Sequence, residues 1–217
     1  MDVMRRGVQM VREAGMNKKK MNTMLDNLKR YNIILASNSP RRRELLSGLG
    51  IDYEVRLIRG IDESYPQHLS GSEIPIFISR IKAAAYRHAM ADNDLVITAD
   101  TIVCAGGEVI GKPKDREDAV RMLKILSGRT HQVMTGVSIT TCEFQKSFAS
   151  VSDVTFDNLT GEEIDFYIDK YNPYDKAGAY GIQEWIGLIG VSGICGSYFN
   201  VMGLPVQRLY RELREIR

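Results

Sequence analysis

The chain has 217 residues, 44% hydrophobic and 26% charged, with 29 Lys and Arg against 27 Asp and Glu and a formal charge of +2. That length suits one domain, or one domain with a small lobe, and is enough to bury a sizeable core. The balance of charge does not imply a basic nucleic-acid surface, so basic groups that matter must be local, nothing approaches the apolar length of a membrane span or signal-peptide core, and no stable nucleic-acid or membrane partner is expected.

Three cysteines, Cys104, Cys142 and Cys195, stand far apart without a C-x-x-C pair. They point to a reducing compartment, read as cytoplasmic, and to no zinc site. Residues 1 to 23 hold Arg5, Arg6, Arg12, Lys18, Lys19 and Lys20 against Asp2 and Glu13, a net of +4, so the remaining residues carry −2 of the total. They lack apolar periodicity and read as an N-terminal extension, disordered or a frayed helix, before a domain over 24–217. A start at Met24 and a nucleic-acid-binding arm are the other readings.

The domain opens with an apolar run, Ile33 to Ala36, that predicts a strand. Ser37-Asn38-Ser39-Pro40-Arg41-Arg42-Arg43 follows, and then a helix carrying Leu45, Leu46 and Leu49. Ser39 suits the N-cap, Pro40 the first helical position, and Gly48 with Gly50 the stop. Free N–H groups at that helix start, two hydroxyls and the arginines form an anion site suited to a phosphate chain. The plainer alternative is a surface helix with solvated arginines.

Tyr53 to Ile58 alternates as a second strand. The loop Asp62-Glu63-Ser64-Tyr65-Pro66 has two carboxylates, a Mg²⁺ site or simply a solvated pair. Ser72 starts a helix to about Ala91 with an apolar stripe of Phe77, Ile78, Ile81, Ala85 and Ala89. Lys82 lies at the edge of that stripe, where it reaches a cleft or snorkels to water.

Leu95 to Ala99 is compact and β-branched, a central strand ending in Asp100-Thr101. An ionisable group beyond a strand end is where open α/β sheets carry chemistry, although Asp also caps turns. Gly106 to Lys112 has the G-x-x-x-x-G-K spacing of a phosphate loop, but Pro113 stands where the Ser/Thr and helix start belong, so Gly106-Gly107 reads as a hairpin turn. Lys112 remains as a single cation for phosphate.

Asp115 and Asp118 open a helix with Ala119, Met122, Leu123 and Leu126 inward, stopped at Gly128. Gln132 to Thr141 and Phe148 to Phe156 read as antiparallel strands, so the sheet is mixed. Thr160 to Glu163 has capping-box spacing and starts a helix with Ile164, Tyr167 and Ile168. Asp175 to Gln183 is a run of small residues with too little bulk for core, a flexible segment able to close over a ligand, in which the Gln183 amide reads a base edge. Two β-like segments around Gly196-Ser197 and a last helix from Pro205, with Leu209 and Leu213, end the domain.

Six motifs stand in this order: S-N-S-P-R-R (37–42), I-D-E-S (61–64), K-A (82–83), A-D-T-I-V with G-K-P (99–113), S-G-x-T-H-x-V-x-T-G (127–136) and D-K-A-G-A-Y-G-I-Q (175–183). From about Leu25 onward the chain resembles the Maf family, also called septum formation inhibitor Maf. The resemblance implies an α/β, Maf/ITPase-like fold: a mixed twisted sheet flanked by helices with a central cleft. It also implies a nucleoside triphosphate pyrophosphatase that needs a divalent cation, Mg²⁺ or Mn²⁺, and a homodimer.

On that resemblance Ser37, Arg41 and Arg42 match the phosphate-binding turn, Lys82 and Lys112 two lysines near the phosphates, Glu63 a loop carboxylate and Asp100 the proton acceptor. Glu63 and Asp100 are the metal ligands, and Asp100, Glu63 and Lys82 the catalytic set. Arg41, Thr101 and Gln183 are similar to the subgroup acting on dTTP and UTP rather than on 7-methyl-GTP. Such an enzyme clears unwanted nucleotides. The rival reading, a non-catalytic nucleotide-binding regulator of septum formation, has no use for Glu63 and Asp100, which repel a phosphate chain unless a metal or a proton transfer engages them. The chain departs from the family's pattern in its N-terminal extension and in Glu184-Trp185 after the glutamine, where a bulky Trp185 is expected to alter the pocket mouth.

Overall fold

A computed structural model describes residues 22–217, so the extension read at 1–23 lies almost wholly outside the described residues. The strands are β1 (Asn32–Leu35), β2 (Glu54–Val55), β3 (Asp94–Ala105), β4 (Glu108–Ile110), β5 (Thr130–Thr140), β6 (Gln145–Phe156) and β7 (Val191–Cys195). They form one sheet in the order β2-β1-β3-β5-β6-β7, with β4 on β3. Pairing is parallel between β2, β1 and β3 and antiparallel elsewhere, the mixed sheet that the alternating runs predict.

The helices are α1 (Pro40–Ser47), α2 (Glu73–Tyr86), α3 (Arg116–Leu126), α4 (Gly161–Tyr171), α5 (Trp185–Gly190), α6 (Tyr198–Val201) and α7 (Val206–Arg214). Side chains alternate across β3 with the period of a strand. Leu95, Ile97, Ala99 and Val103 enter a large core with Leu46 of α1, Leu123 of α3, Ile164 of α4 and Leu209 of α7. Val96 and Ile102 point to the other face, which α2 covers with Ile74, Ile78 and Tyr86. Burying each such side chain contributes roughly 1.5–3 kcal/mol, so both faces of β3 are strongly held.

The structure corrects several expectations. The second strand shrinks to two exposed residues at the sheet edge, because only Glu54 and Val55 find partners on β1. Helix α2 stops at Tyr86 with its buried stripe at Ile74, Ile78, Ala83 and Tyr86, while Ala85 and Ala89 are exposed; the phenol of Tyr86 donates to the Arg56 carbonyl and anchors that end. Strand β3 does not end at Asp100 but runs on to Ala105, since β5 pairs with it as far as Cys104.

Asp175 to Gln183 is not loose backbone. Ala179, Tyr180 and Ile182 are buried, and at Gly178 a Cβ would meet Val103 at 3.0 Å, so small residues here permit close packing rather than motion. Only one strand, β7, precedes Gly196-Ser197, and Ser197 caps α6 by accepting from the Asn200 amide. Trp185 opens α5 and packs edge-on to Phe166, ring centroids 4.8 Å apart, instead of facing the pocket mouth.

Candidate active site

One edge of β3 is interrupted. Strand β1 pairs with Asp94 to Ile97 and β4 with Val103 to Ala105, leaving Thr98 to Ile102 without a strand neighbour on that side. The chain leaves β1 just there: Ala36 N–H donates one more bond to the Ile97 carbonyl, and residues 37–39 then turn away into α1. A gap in a sheet at the carboxyl end of a parallel strand is a natural crevice for a ligand. Asp100 projects to the α2 face of the gap and Thr101 to the α1 face, so residues from both layers converge on one cleft.

The turn is built as its residues dictate. Ser39 caps α1, its hydroxyl accepting from Arg42 N at 3.4 Å, and Ser39 N–H donates to Ser37 Oγ at 3.3 Å. Pro40 occupies the first turn. The arginines divide their work. Arg42 donates from Nε to the Gly203 carbonyl (2.8 Å), from Nη1 to the Ala99 carbonyl (2.9 Å) and Ser37 Oγ (3.4 Å), and from Nη2 to Thr101 Oγ1 (3.0 Å). Burial lowers its pKa and the nearby Asp100 charge works against that fall, and a guanidinium stays charged throughout. Arg42 therefore braces the turn, the gap and the Gly203 loop. Arg41 reaches the cleft with one ion pair, to Asp175 at 3.3 Å.

Opposite the turn, Lys82 of α2 holds two carboxylates. Its Nζ lies 2.8 Å from Asp100 Oδ1 and 3.0 Å from Glu63 Oε2, with the Lys82 and Asp100 side chains 14% and 13% exposed and Glu63 50% exposed. Helix α2 comes this close because Gly136, the cross-strand partner of Asp100, has no side chain. A Cβ there would overlap the Pro75 carbonyl and the Ile76 nitrogen of α2. Thr98 Oγ1 donating to the Ser79 carbonyl (2.7 Å) and the Ser79–Ser138 hydroxyl pair (2.9 Å) fasten the same approach.

All nine residues singled out in the sequence border this cleft. Arg41, Arg42, Lys82, Asp100, Thr101, Lys112 and Gln183 line its inner part, while Ser37 and Glu63 stand with the arginines and lysines along the outer part. Thr101 Oγ1 also bonds Thr135 Oγ1 at 2.9 Å, so its hydroxyl is fixed by a network rather than free to rotate. Carboxylate oxygens suit a hard divalent cation such as Mg²⁺, commonly held by one or two carboxylates together with phosphate oxygens. Asp100 and Glu63 fit that donor set. Among the described residues no group of three or more His, Cys, Asp or Glu gathers to hold a metal alone.

Sequence reasoning missed the floor of the cleft. Lys176 is buried and paired with Asp175 (2.8 Å) and Glu184 (3.1 Å). Burial acts to raise the pKa of Asp175, but bonds from Lys176 and Arg41 outweigh it and hold the carboxyl below its ordinary value. Beneath them His131 Nε2 shares a 2.7 Å bond with Tyr180 OH, and both rings pack edge-on to Phe156. The signal for these partners was their place in or beside the motifs at 127–136 and 175–183, which does not tell that they meet.

Fold and cleft together define an α/β protein with a cationic site, two carboxylates within it, at a break in a mixed sheet. The model of the family described as Maf-like protein matches residues 32–216, and the chain belongs to the Maf family. A protein of Bacteroides thetaiotaomicron named dTTP/UTP pyrophosphatase is 63% identical over 193 residues, covering 89% of this chain and 100% of that protein. One of Porphyromonas gingivalis with the same name is 55% identical over 194 residues, covering 88% and 98%. Among solved structures, the Ham1 protein of Staphylococcus aureus aligns with 86% of this chain and 100% of its own at 20% identity and a TM-score of 0.49.

Proposed function

We propose that this chain hydrolyses nucleoside triphosphates between the α and β phosphates, releasing the monophosphate and pyrophosphate, with dTTP and UTP as preferred substrates. The observation that carries the reading is the Lys82 ammonium shared by Asp100 and Glu63 across the cleft from the Ser37–Arg41 turn. A triphosphate brings about four negative charges, which have to be neutralised before water approaches the α phosphorus. Arg41, Lys82, Lys112 and the N–H groups opening α1 supply that neutralisation, and Arg42 and Ser37 keep the turn in shape. Asp100 accepts the proton of the attacking water. Glu63 and Asp100 would hold a Mg²⁺ or Mn²⁺ ion, which would supply Lewis-acid polarisation of the phosphoryl oxygens.

At the other end of the cleft, Gln183 offers a carbonyl and an NH₂ group. A uracil or thymine edge presents N3–H and O4, the complementary pair, whereas cytosine presents the reverse, an acceptor at N3 and a donor at N4. The names of the relatives agree with this preference. No helix among the described residues is long and apolar enough to cross a membrane. A cytoplasmic location, homodimeric assembly and the absence of stable nucleic-acid binding complete the reading. Pyrophosphate release with Mg²⁺ should be measured on dTTP, UTP, CTP, GTP and 7-methyl-GTP. The reading expects the highest kcat/KM on dTTP and UTP; preference for 7-methyl-GTP overturns the substrate, and no turnover of any nucleotide overturns the activity.

A further inference from the structure

Gln183 lies in a tight turn whose two ends are pinned by one charged cluster. Glu184 N–H donates to the Gly181 carbonyl at 2.9 Å, closing the turn. Gly181 N–H donates to Tyr167 OH at 3.0 Å, and that hydroxyl donates in turn to Glu184 Oε2. The second oxygen of Glu184 pairs with the buried Lys176 ammonium at 3.1 Å. Lys176 also holds Asp175, which reaches Arg41 at the phosphate end of the cleft. The cluster alternates in sign, Arg41, Asp175, Lys176, Glu184, so no charge in it is buried without a partner.

The backbone is shaped around this cluster. A Cβ on Gly181 would meet the Glu184 carboxyl carbon at 2.8 Å and Lys176 Cε at 3.1 Å, so the glycine makes room for the ion pair itself. Gln183 is exposed to the cleft while the residues on either side are held. An amide side chain discriminates between bases only when its donor and acceptor are held in register, and the register here is set by the backbone the cluster grips.

We propose that Glu184 is a specificity-positioning residue: through Lys176 and Tyr167 it locks the Gly181–Glu184 turn that presents Gln183 to the nucleobase. This rests on the reading of Gln183 as the base contact. Glu184 does not line the inner cleft, so its effect falls on affinity and discrimination, not on the chemical step.

The test is steady-state kinetics of Glu184→Gln, Lys176→Met, the double variant and Tyr167→Phe on UTP and CTP, with amide hydrogen exchange at Gly181. Tyr167→Phe keeps the buried ring and serves should the charge variants fold poorly. Each single variant is expected to raise KM for UTP about tenfold and to narrow the UTP-over-CTP ratio of kcat/KM at least fivefold. kcat should change less than threefold, and the double variant should be no worse than the poorer single one, as members of one network behave. Gly181 should exchange faster in all of them. A lower melting temperature with an unchanged UTP-over-CTP ratio reduces the cluster to a structural role and overturns the proposal, as does a fall in kcat at constant KM. Should wild-type protein turn over no pyrimidine nucleotide, the activity reading fails by itself, while unchanged Gly181 exchange in the variants overturns the lock independently.

Discussion

Asp100 and Arg42 sit within one hydrogen-bonded neighbourhood, yet the structure gives them unlike tasks. Every nitrogen of the Arg42 guanidinium donates to a protein acceptor, whereas Asp100 has one ion pair and faces the cleft. Asp100→Asn keeps the shape and removes the charge that accepts a proton, so kcat on UTP should fall by about 10² or more with the melting temperature nearly kept. Normal turnover by this variant would remove Asp100 from the chemistry. His131 makes a second prediction at this scale. Burial lowers its pKa from 6.5 to about 4, so between those values the unfolded chain binds a proton that the folded chain refuses. Stability is therefore complete above about pH 6.5 and declines as pH falls toward 4, by on the order of 3 kcal/mol at most. Urea titrations from pH 7.5 to 4.5 should show that slope in wild type and lose this part of it in His131→Gln; equal slopes would assign acid sensitivity to other groups.

Elements were legible in the sequence where local chemistry decides them, and not where a distant partner does. The Thr160–Glu163 capping box and the Gly106-Gly107 turn formed as read, because a hydroxyl, a carboxylate or two positive-φ glycines act within four residues. Strand β3 outran its expected end because β5, some thirty residues on, continues to supply bonds. The 175–183 segment looked too slight for core because periodicity cannot register a close approach, and close approach is what Gly178 and Gly181 permit. Gly136 shows the same logic at the helix that carries Lys82. Gly136→Ala forces a methyl group into the α2 backbone, so α2 has to lift away and take Lys82 from Asp100. Such overpacking costs typically about 1–3 kcal/mol. Chemical denaturation should show that loss, together with a fall in kcat/KM larger than Ala substitution elsewhere on β5 produces; activity untouched by a measurable destabilisation would mean that the helix position does not govern the site.

Across the whole molecule, the switch from parallel to antiparallel pairing explains where the cleft lies. Parallel β1 is short and hands its chain to the Ser37–Arg41 turn, while antiparallel β5 pairs with β3 far beyond it, so the exposed edge at Thr98 to Ile102 follows from unequal strand lengths. Sequence motifs named the nine residues around that edge, but only the folded sheet shows that Asp100 and Thr101 face opposite layers and that Lys82 and Arg42 approach from different sides. The pairing of Asp175, Lys176 and Glu184 could not be read from the motif that holds the first two, since these partners join through space. The central claim, water attack at the α phosphorus, is tested most directly by hydrolysing UTP in ¹⁸O-labelled water and locating the label. Label in the uridine monophosphate, with unlabelled pyrophosphate, is the predicted result; label in pyrophosphate or orthophosphate would place the attack on another phosphorus and contradict the account.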